Sequence, residues 1–232
     1  MKAGQQRAEQ RGVPIHAHER IDPLGTGWVI SSRAGFAPCP WALDLIEFAR
    51  PRVGEKILDL GCGSAPLAVA IGQIEPAHGP ILGVDLSWRR LDQGRRNLAL
   101  QNLQNCALVR SDIRCLHYPP IFDLVLSNPP FYPVGWGRMS DDPEISSATH
   151  AVHGDIPDFL AAACDALAPH GRIVFIYDTD RLPQLLIAVS GMAVRVKEMR
   201  FLYDDRHRPS RVMIMIARGG GLVIDHRGSV VT

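Results

Sequence analysis

Short apolar runs alternating with stretches of helical spacing do most to limit what this chain can fold into. Seven runs read as strands: Ile57 to Asp59, Ile81 to Asp85, Ala107 to Arg110, Leu124 to Ser127, Arg172 to Tyr177, Val194 to Leu202 and Arg211 to Ala217. Leu67 to Gln73, Trp88 to Gln101, Phe159 to Ala168 and Leu182 to Ser190 read as the intervening helices, and Trp41 to Arg50 as one that precedes them. Strands that are apolar throughout, with helices between them, predict a doubly wound, mostly parallel α/β sheet covered on both faces. The last two runs follow each other without a helix, so a C-terminal antiparallel edge hairpin is expected. In such open sheets ligands bind beyond the carboxyl ends of the strands.

Composition fits one domain. A chain of 232 residues that is 46% hydrophobic can bury a full core, so residues 23–232 are expected to form a single domain behind an N-terminal arm, residues 1–22, that is partly disordered. The segment from Trp28 to Pro40 is expected to fold over a ligand. A formal net charge of +1 does not by itself announce a nucleic-acid partner. The five cysteines show neither zinc nor disulfide spacing, and the histidines lack accompanying ligands, so no metal site is expected. No apolar stretch has signal or membrane-spanning length, which points to a cytoplasmic protein.

The first strand, Lys56 to Leu60, runs into Gly61-Cys62-Gly63-Ser64-Ala65-Pro66. Glycines there permit positive φ and close approach of a ligand to the backbone, and Pro66 suits the first turn of the next helix. The second strand ends in Asp85, the position from which an acid meets ribose hydroxyls in a Rossmann-type unit. Pro66 stands where a dinucleotide fingerprint has its third glycine, so the turn favours a nucleoside without a pyrophosphate. The third strand leads to Ser111-Asp112. Asp85 and Asp112 together suit a ribose and an adenine amino group, while either alone equally suits a helix cap.

The fourth strand ends in Asn128-Pro129-Pro130-Phe131-Tyr132. Two prolines fix φ and bring no amide hydrogens, so the Asn128 side chain and the Pro129 carbonyl stand as stiff acceptors suited to an incoming NH2 group. An ordinary proline-bounded turn is the alternative.

Taken together, Leu58-Asp59-Leu60-Gly61-Cys62-Gly63-Ser64, Asp85, Asp112 and Asn128-Pro129-Pro130-Phe131 resemble the motif set of the class I S-adenosylmethionine-dependent methyltransferases, in the branch that methylates planar amino nitrogens. The resemblance runs from about Val53 to the C-terminus and implies a Rossmann-like sheet. It implies that Asp59, Gly61, Cys62, Gly63 and Ser64 hold the methionine portion of the cofactor, Asp85 with Leu86 the ribose, and Asp112 with Ile113 the adenine. Asn128 would border the cofactor and, with Pro129, grip the target amine, while Phe131 and Tyr132 stack on the base. Ala65 stands where many members carry a further glycine.

Within that branch the later segments are similar to the bacterial tRNA adenine-N6 methyltransferases: Ala148-Thr149-His150, Leu160 to Leu167, Gly171-Arg172-Ile173-Val174-Phe175 and the tail from Leu222 to Val230. Thr149-His150-Ala151 stands where that group has Arg-His-Glu. The implied partner is RNA, a tRNA first of all, with Arg206, Arg208 and Arg211 as candidate phosphate contacts. Arg89-Arg90 and Arg95-Arg96 read as the solvated face of a helix that turns Trp88, Leu91 and Leu98 inward. Guanine-N2 ribosomal RNA methyltransferases and glutamine methyltransferases of release factors offer similar planar amines. A catalytically silent RNA-interaction module is the reading from another class.

Overall fold

The computed structural model describes residues 2–34, 41–74, 79–115, 117–130 and 154–219, together with the backbone of 223–230. Two compact units divide the chain, Met1–Ser111 and Asp112–Thr232.

In the first unit, strands β3 (Ile57–Leu60), β4 (Ile81–Asp85) and β5 (Cys106–Arg110) lie parallel in that order. The helices α2 (Ala42–Ala49), α3 (Pro66–Ile71) and α4 (Trp88–Gln101) match the helical spacing in the sequence. All four residues of β3 are buried, as a strand packed on both faces requires. Pro66 opens α3, where its missing N–H costs nothing. Ser87 caps α4 by accepting a bond from the Arg90 amide at 3.1 Å, and Asn102 closes that helix in the left-handed conformation at φ 60°.

The N-terminal stretch differs from the expected arm. Residues Lys2–Gln10 form α1, and Glu19–Leu24 (β1) pairs antiparallel with Gly27–Ser32 (β2). The cause is a small apolar cluster of Ala8, Val13, Ile21, Ile30 and Leu100, with Ile15 and Trp28 against it. These apolar residues are sparse in a stretch that is polar on average, yet they converge on one face of α4. Of the segment from Trp28 to Pro40, residues 35–40 lie outside the described residues.

A buried ion pair adds to that attachment: Arg96 on α4 meets Glu19 at 2.6 Å, and Glu19 also accepts from the His16 amide and Gln93. Burial alone would raise the Glu19 pKa, but the Arg96 hydrogen bonds, the His16 amide and the Arg96 charge hold it at about 2.

In the second unit, β6 (Phe122–Ser127) runs parallel to β7 (Leu167–Asp178). The hairpin of β8 (Arg195–Tyr203) and β9 (Pro209–Ala217) is present, with β9 lying antiparallel between β7 and β8. Strands β3 to β9 are thus the seven read from the sequence, in a mostly parallel Rossmann-like arrangement. A further strand, β10 (Val223–Val230), pairs parallel with β8 and takes the edge of this unit's sheet. Helices α5 (Ile156–Ala166) and α6 (Leu182–Ser190) complete the unit. A capping box of Asp155 and Asp158 starts α5. Among the described residues no helix is long and apolar enough to cross a membrane.

Removing the Arg96 side chain leaves the Glu19 carboxylate buried without its countercharge, and breaking such a pair costs about 3–5 kcal/mol. Arg96→Ala should show that loss in urea unfolding, and Glu19→Gln in the same background should recover much of it. Because the folded-state pKa of Glu19 is depressed, the pair's contribution is present above about pH 4.5 and is lost as pH falls toward about 2.

Candidate functional site

The glycine turn after β3 has three alternate residues in the left-handed region: Gly61 at φ 72°, Gly63 at 54° and Ala65 at 61°. At Gly63 a Cβ would have only Arg90 Cδ, 3.9 Å away, for company, so the turn presents open backbone rather than packed side chain. At Ala65 the left-handed backbone carries a Cβ, which costs about 1–2 kcal/mol. Its amide bonds to the Cys62 carbonyl at 2.8 Å and its methyl is fully buried, both of which offset that cost.

Asp85 at the end of β4 is 8% exposed and uses its two oxygens separately. Oδ2 accepts from the Gly63 amide and Oδ1 from the Ser87 amide, each at 2.8 Å. Since Ser87 is itself the cap of α4, Asp85 does not serve as that helix's N-cap. It pins the glycine turn and keeps lone pairs for further donors. Leu86 follows, with its carbonyl bonded to Arg110 Nε at 3.0 Å.

Asp59 is 2% exposed, and neither carboxyl oxygen has a hydrogen-bond partner among the described residues. Burial, reinforced by the nearby negative charge of Asp85, pushes its pKa up to about 8. Burial likewise holds Cys62 as a neutral thiol, its pKa raised well above the usual range.

In the second unit, Asp112 forms an ion pair with Arg114 at 2.6 Å and accepts from the Arg114 amide at 2.9 Å, which starts the short 3-10 turn Ile113–Cys115. Ile113 is buried. Asn128 follows β6 directly, as the sequence placed it, and its side-chain oxygen is buried, as is Pro129. Phe131, Tyr132 and Thr149-His150-Ala151 lie outside the described residues.

The basic residues are arranged differently from their sequence grouping. Arg211 on β9 points at Asp178, 2.9 Å away, in a mostly buried pair, and Arg208 meets Asp204 at 3.2 Å. Arg206 lies exposed in the β8–β9 turn. On α4, Leu91 and Leu98 face inward as expected, but Trp88 is 57% exposed with the Arg95 guanidinium 4.6 Å above its ring. Trp88 is the first residue of α4, so its side chain projects before the buried face begins. Sequence reasoning missed Asn97, a fully buried polar residue of α4 bonded to the Ser64 carbonyl at 2.9 Å. Its mark in the sequence is one amide placed between Gly94 and Leu98 on an inward stripe.

Comparison with known proteins places the chain in a family. The model of the methyltransferase small domain family matches residues 44–189, and the chain belongs to that family. It is 31% identical over 132 residues to the tRNA1(Val) (adenine(37)-N6)-methyltransferase of Aeromonas hydrophila, spanning 56% of this chain and 55% of that enzyme. The Aeromonas salmonicida protein of the same name is 30% identical over 71% of this chain and 69% of its own length. A release factor glutamine methyltransferase of Deinococcus radiodurans is 30% identical over 62% of this chain and 54% of its own. Among solved structures, the TYW2 protein of M. jannaschii in complex with AdoMet superposes with a TM-score of 0.59 at 12% identity, covering 87% of this chain and 85% of that one. A ribosomal protein L11 methylase from Lactobacillus delbrueckii gives a TM-score of 0.56 at 19% identity, covering 77% of each chain. The protein is an S-adenosylmethionine-dependent methyltransferase.

The residues present fit that cofactor. An open glycine turn accommodates a close ligand, and the buried Asp59 carboxyl, without a partner among the described residues, suits a group that brings N–H donors and positive charge, as the methionine end does.

With a folded-state pKa of about 8 against an ordinary 3.8, Asp59 holds a proton that the unfolded chain releases between about pH 4 and 8. Stability of the cofactor-free protein should therefore fall through that window, by up to about 1.4 kcal/mol per pH unit from this group, and level off above it. Asp59→Asn should lack this contribution. Urea unfolding at pH 5 and pH 8 checks it: the variant should gain on the wild type at the higher pH, and an equal gap at both would mean an ionised carboxylate throughout.

Proposed function

We propose that this methyltransferase acts on a planar exocyclic amino nitrogen, and that its substrate is N6 of an adenine in tRNA. The observation that carries the reading is Asn128, set at the carboxyl end of β6 with its side-chain oxygen buried and followed by two prolines. The Aeromonas relatives, named for adenine-N6 methylation of a tRNA, support the choice of base.

S-adenosylmethionine supplies a methyl group already activated by its positively charged sulfur. The chain's part is to hold and aim. In this reading the Gly61 to Ser64 turn and Asp59 take the methionine end, Asp85 with Leu86 the ribose, and Asp112 with Ile113 the adenine side. A neutral adenine amine is a poor nucleophile because its lone pair is delocalised into the ring. Asn128 Oδ1 and the Pro129 carbonyl accept its two hydrogens, which favours a pyramidal nitrogen with its lone pair directed outward. Near-attack positioning of this kind can supply roughly 7–11 kcal/mol of the barrier. Phe131 and Tyr132 are assigned to stacking on the displaced base, worth about 1–3 kcal/mol.

Arg206 and Arg208, both exposed on the β8–β9 turn, are the phosphate contacts in this reading. Arg211, committed to Asp178, would orient the turn's second strand or exchange partners when RNA arrives. Neutralising Arg206 and Arg208 should weaken RNA binding and flatten its salt dependence, by a slope of about 0.7 for each phosphate of single-stranded RNA no longer neutralised, while cofactor affinity holds. A salt slope equal to the wild type's would return them to solvated surface.

A second reading, a glutamine side chain in a release factor, draws on the Deinococcus relative. Mass spectrometry separates the two: nucleosides from tRNA and ribosomal RNA, and release-factor peptides, are analysed after incubation with isotopically labelled cofactor. Label in N6-methyladenosine of tRNA is the expected result, and label confined to peptide glutamine overturns it.

Asn128→Ala should keep the fold and cofactor affinity while single-turnover methyl transfer slows about 100- to 1000-fold, the usual effect of deleting one preorganised polar group from an active site. Asn128→Asp keeps an acceptor and should be less damaged. Equal rates for Asn128→Ala and wild type would leave the loop as a structural turn.

A further inference from the structure

Asn97 is fully buried in the middle of α4 and makes three hydrogen bonds to backbone in two different places. Its Oδ1 accepts from the Ile30 amide at 2.6 Å, and its Nδ2 donates to the Ile30 carbonyl at 3.2 Å. The amide thereby pairs with β2 as a neighbouring strand would. The other Nδ2 hydrogen goes to the carbonyl of Ser64, the last residue of the glycine turn, at 2.9 Å. Gly94, three residues earlier, lets α4 come close at the same spot: a Cβ there would lie 3.3 Å from the Ser64 carbonyl carbon and 3.4 Å from the Gly63 oxygen.

Further side chains tie the same hairpin to the turn after α3 and to α4. Gln73 Nε2 donates to the Leu24 carbonyl at 2.9 Å, Gln101 Nε2 to the Trp28 carbonyl at 2.6 Å, and Arg96 pairs with Glu19. These bonds hold the hairpin without reaching the turn. Asn97 does both.

We propose that Asn97 is a positioning residue for the cofactor turn, and that the N-terminal hairpin β1–β2, which precedes the family match at 44–189, is a working part of the cofactor site through it. The proposal rests on the reading above that this turn holds S-adenosylmethionine. The Ser64 carbonyl is fixed by a donor whose own orientation is fixed by Ile30, so the turn and β2 share one ordered arrangement. Ordering at either end then favours ordering at the other, and the coupling is reciprocal.

The test needs no variant to begin with. Amide hydrogen exchange at Ile30 is measured in the full chain with and without saturating S-adenosylhomocysteine, whose binding is verified by calorimetry. Binding should slow Ile30 exchange about 5-fold or more, the low end of ordinary coupling. Asn97→Asp then keeps the acceptor for the Ile30 amide but can donate neither to Ser64 nor to the Ile30 carbonyl. It should weaken cofactor affinity about 10-fold, raising KM for S-adenosylmethionine while kcat at saturation stays within about 3-fold, and should abolish the exchange response. Gln101→Ala, which removes a hairpin bond without touching the turn, should lower the melting temperature and leave cofactor affinity alone. Cofactor binding with unchanged Ile30 exchange, or an Asn97→Asp affinity equal to that of Gln101→Ala, overturns the proposal alone. No binding of S-adenosylhomocysteine to the folded wild type overturns the cofactor reading and the proposal with it.

Discussion

One carboxylate organises the glycine turn after β3 and the start of α4. Asp85 stands at the end of β4 and accepts from the amides of Gly63 and Ser87, each at 2.8 Å. The first bond fixes a turn whose left-handed residues would otherwise sample many states, and the second fixes the entry to α4. Charge-assisted bonds to backbone N–H are about twice as strong as neutral ones, so an amide or hydroxyl in its place would hold both points less firmly. The same two bonds aim the remaining lone pairs. The brace for the turn and the brace for the α4 entry are one side chain, and neither can be changed without the other.

Asp59 shows the opposite use of the same functional group. Two bonded amides and the α4 entry keep Asp85 in a polar setting, whereas Asp59 on β3 is deeply buried and has no donor among the described residues. Burial raises its pKa to about 8, with the charge on Asp85 adding to the effect. Asp59 is thereby held as a neutral acid, suited to an incoming donor. A cationic ligand reverses the second condition, because it replaces missing solvation with a countercharge. Under the proposed assignment of Asp59 to the methionine end, the energetic penalty built into this carboxyl would favour a ligand that carries an ammonium group.

Much of this was legible in the sequence. Strands β3 to β7 and helices α3 and α4 announce themselves through apolar runs and helical spacing, and the Gly61 to Ser64 turn and Asp85 lie where those patterns put them. Asn128 falls directly after β6 for the same reason. The N-terminal hairpin was hidden because its stability is tertiary: Val13, Ile21 and Ile30 are too scattered to form a pattern, and their partner Leu100 lies far along the chain. Trp88 misled because helical spacing assigns a face but not where burial begins along the helix. Arg211 read as a cation available to a partner because a linear stretch does not show Asp178, which meets it from the neighbouring strand.

Ala65 brings these threads to one point. A non-glycine residue at φ 61° carries strain that the local sequence does not relieve, so it persists only where the surroundings over-determine the backbone. Here the residues before it are held from two sides, Gly63 by Asp85 and Ser64 by Asn97. A turn so restrained loses little conformational freedom when a ligand arrives, and preorganisation of that kind is gained on folding rather than at binding. The extra methyl of Ala65 is buried against the core, further narrowing the states open to the turn. In this chain the rigidity of the turn is drawn from side chains reaching in, one from the end of β4 and one from a helix anchored to β2.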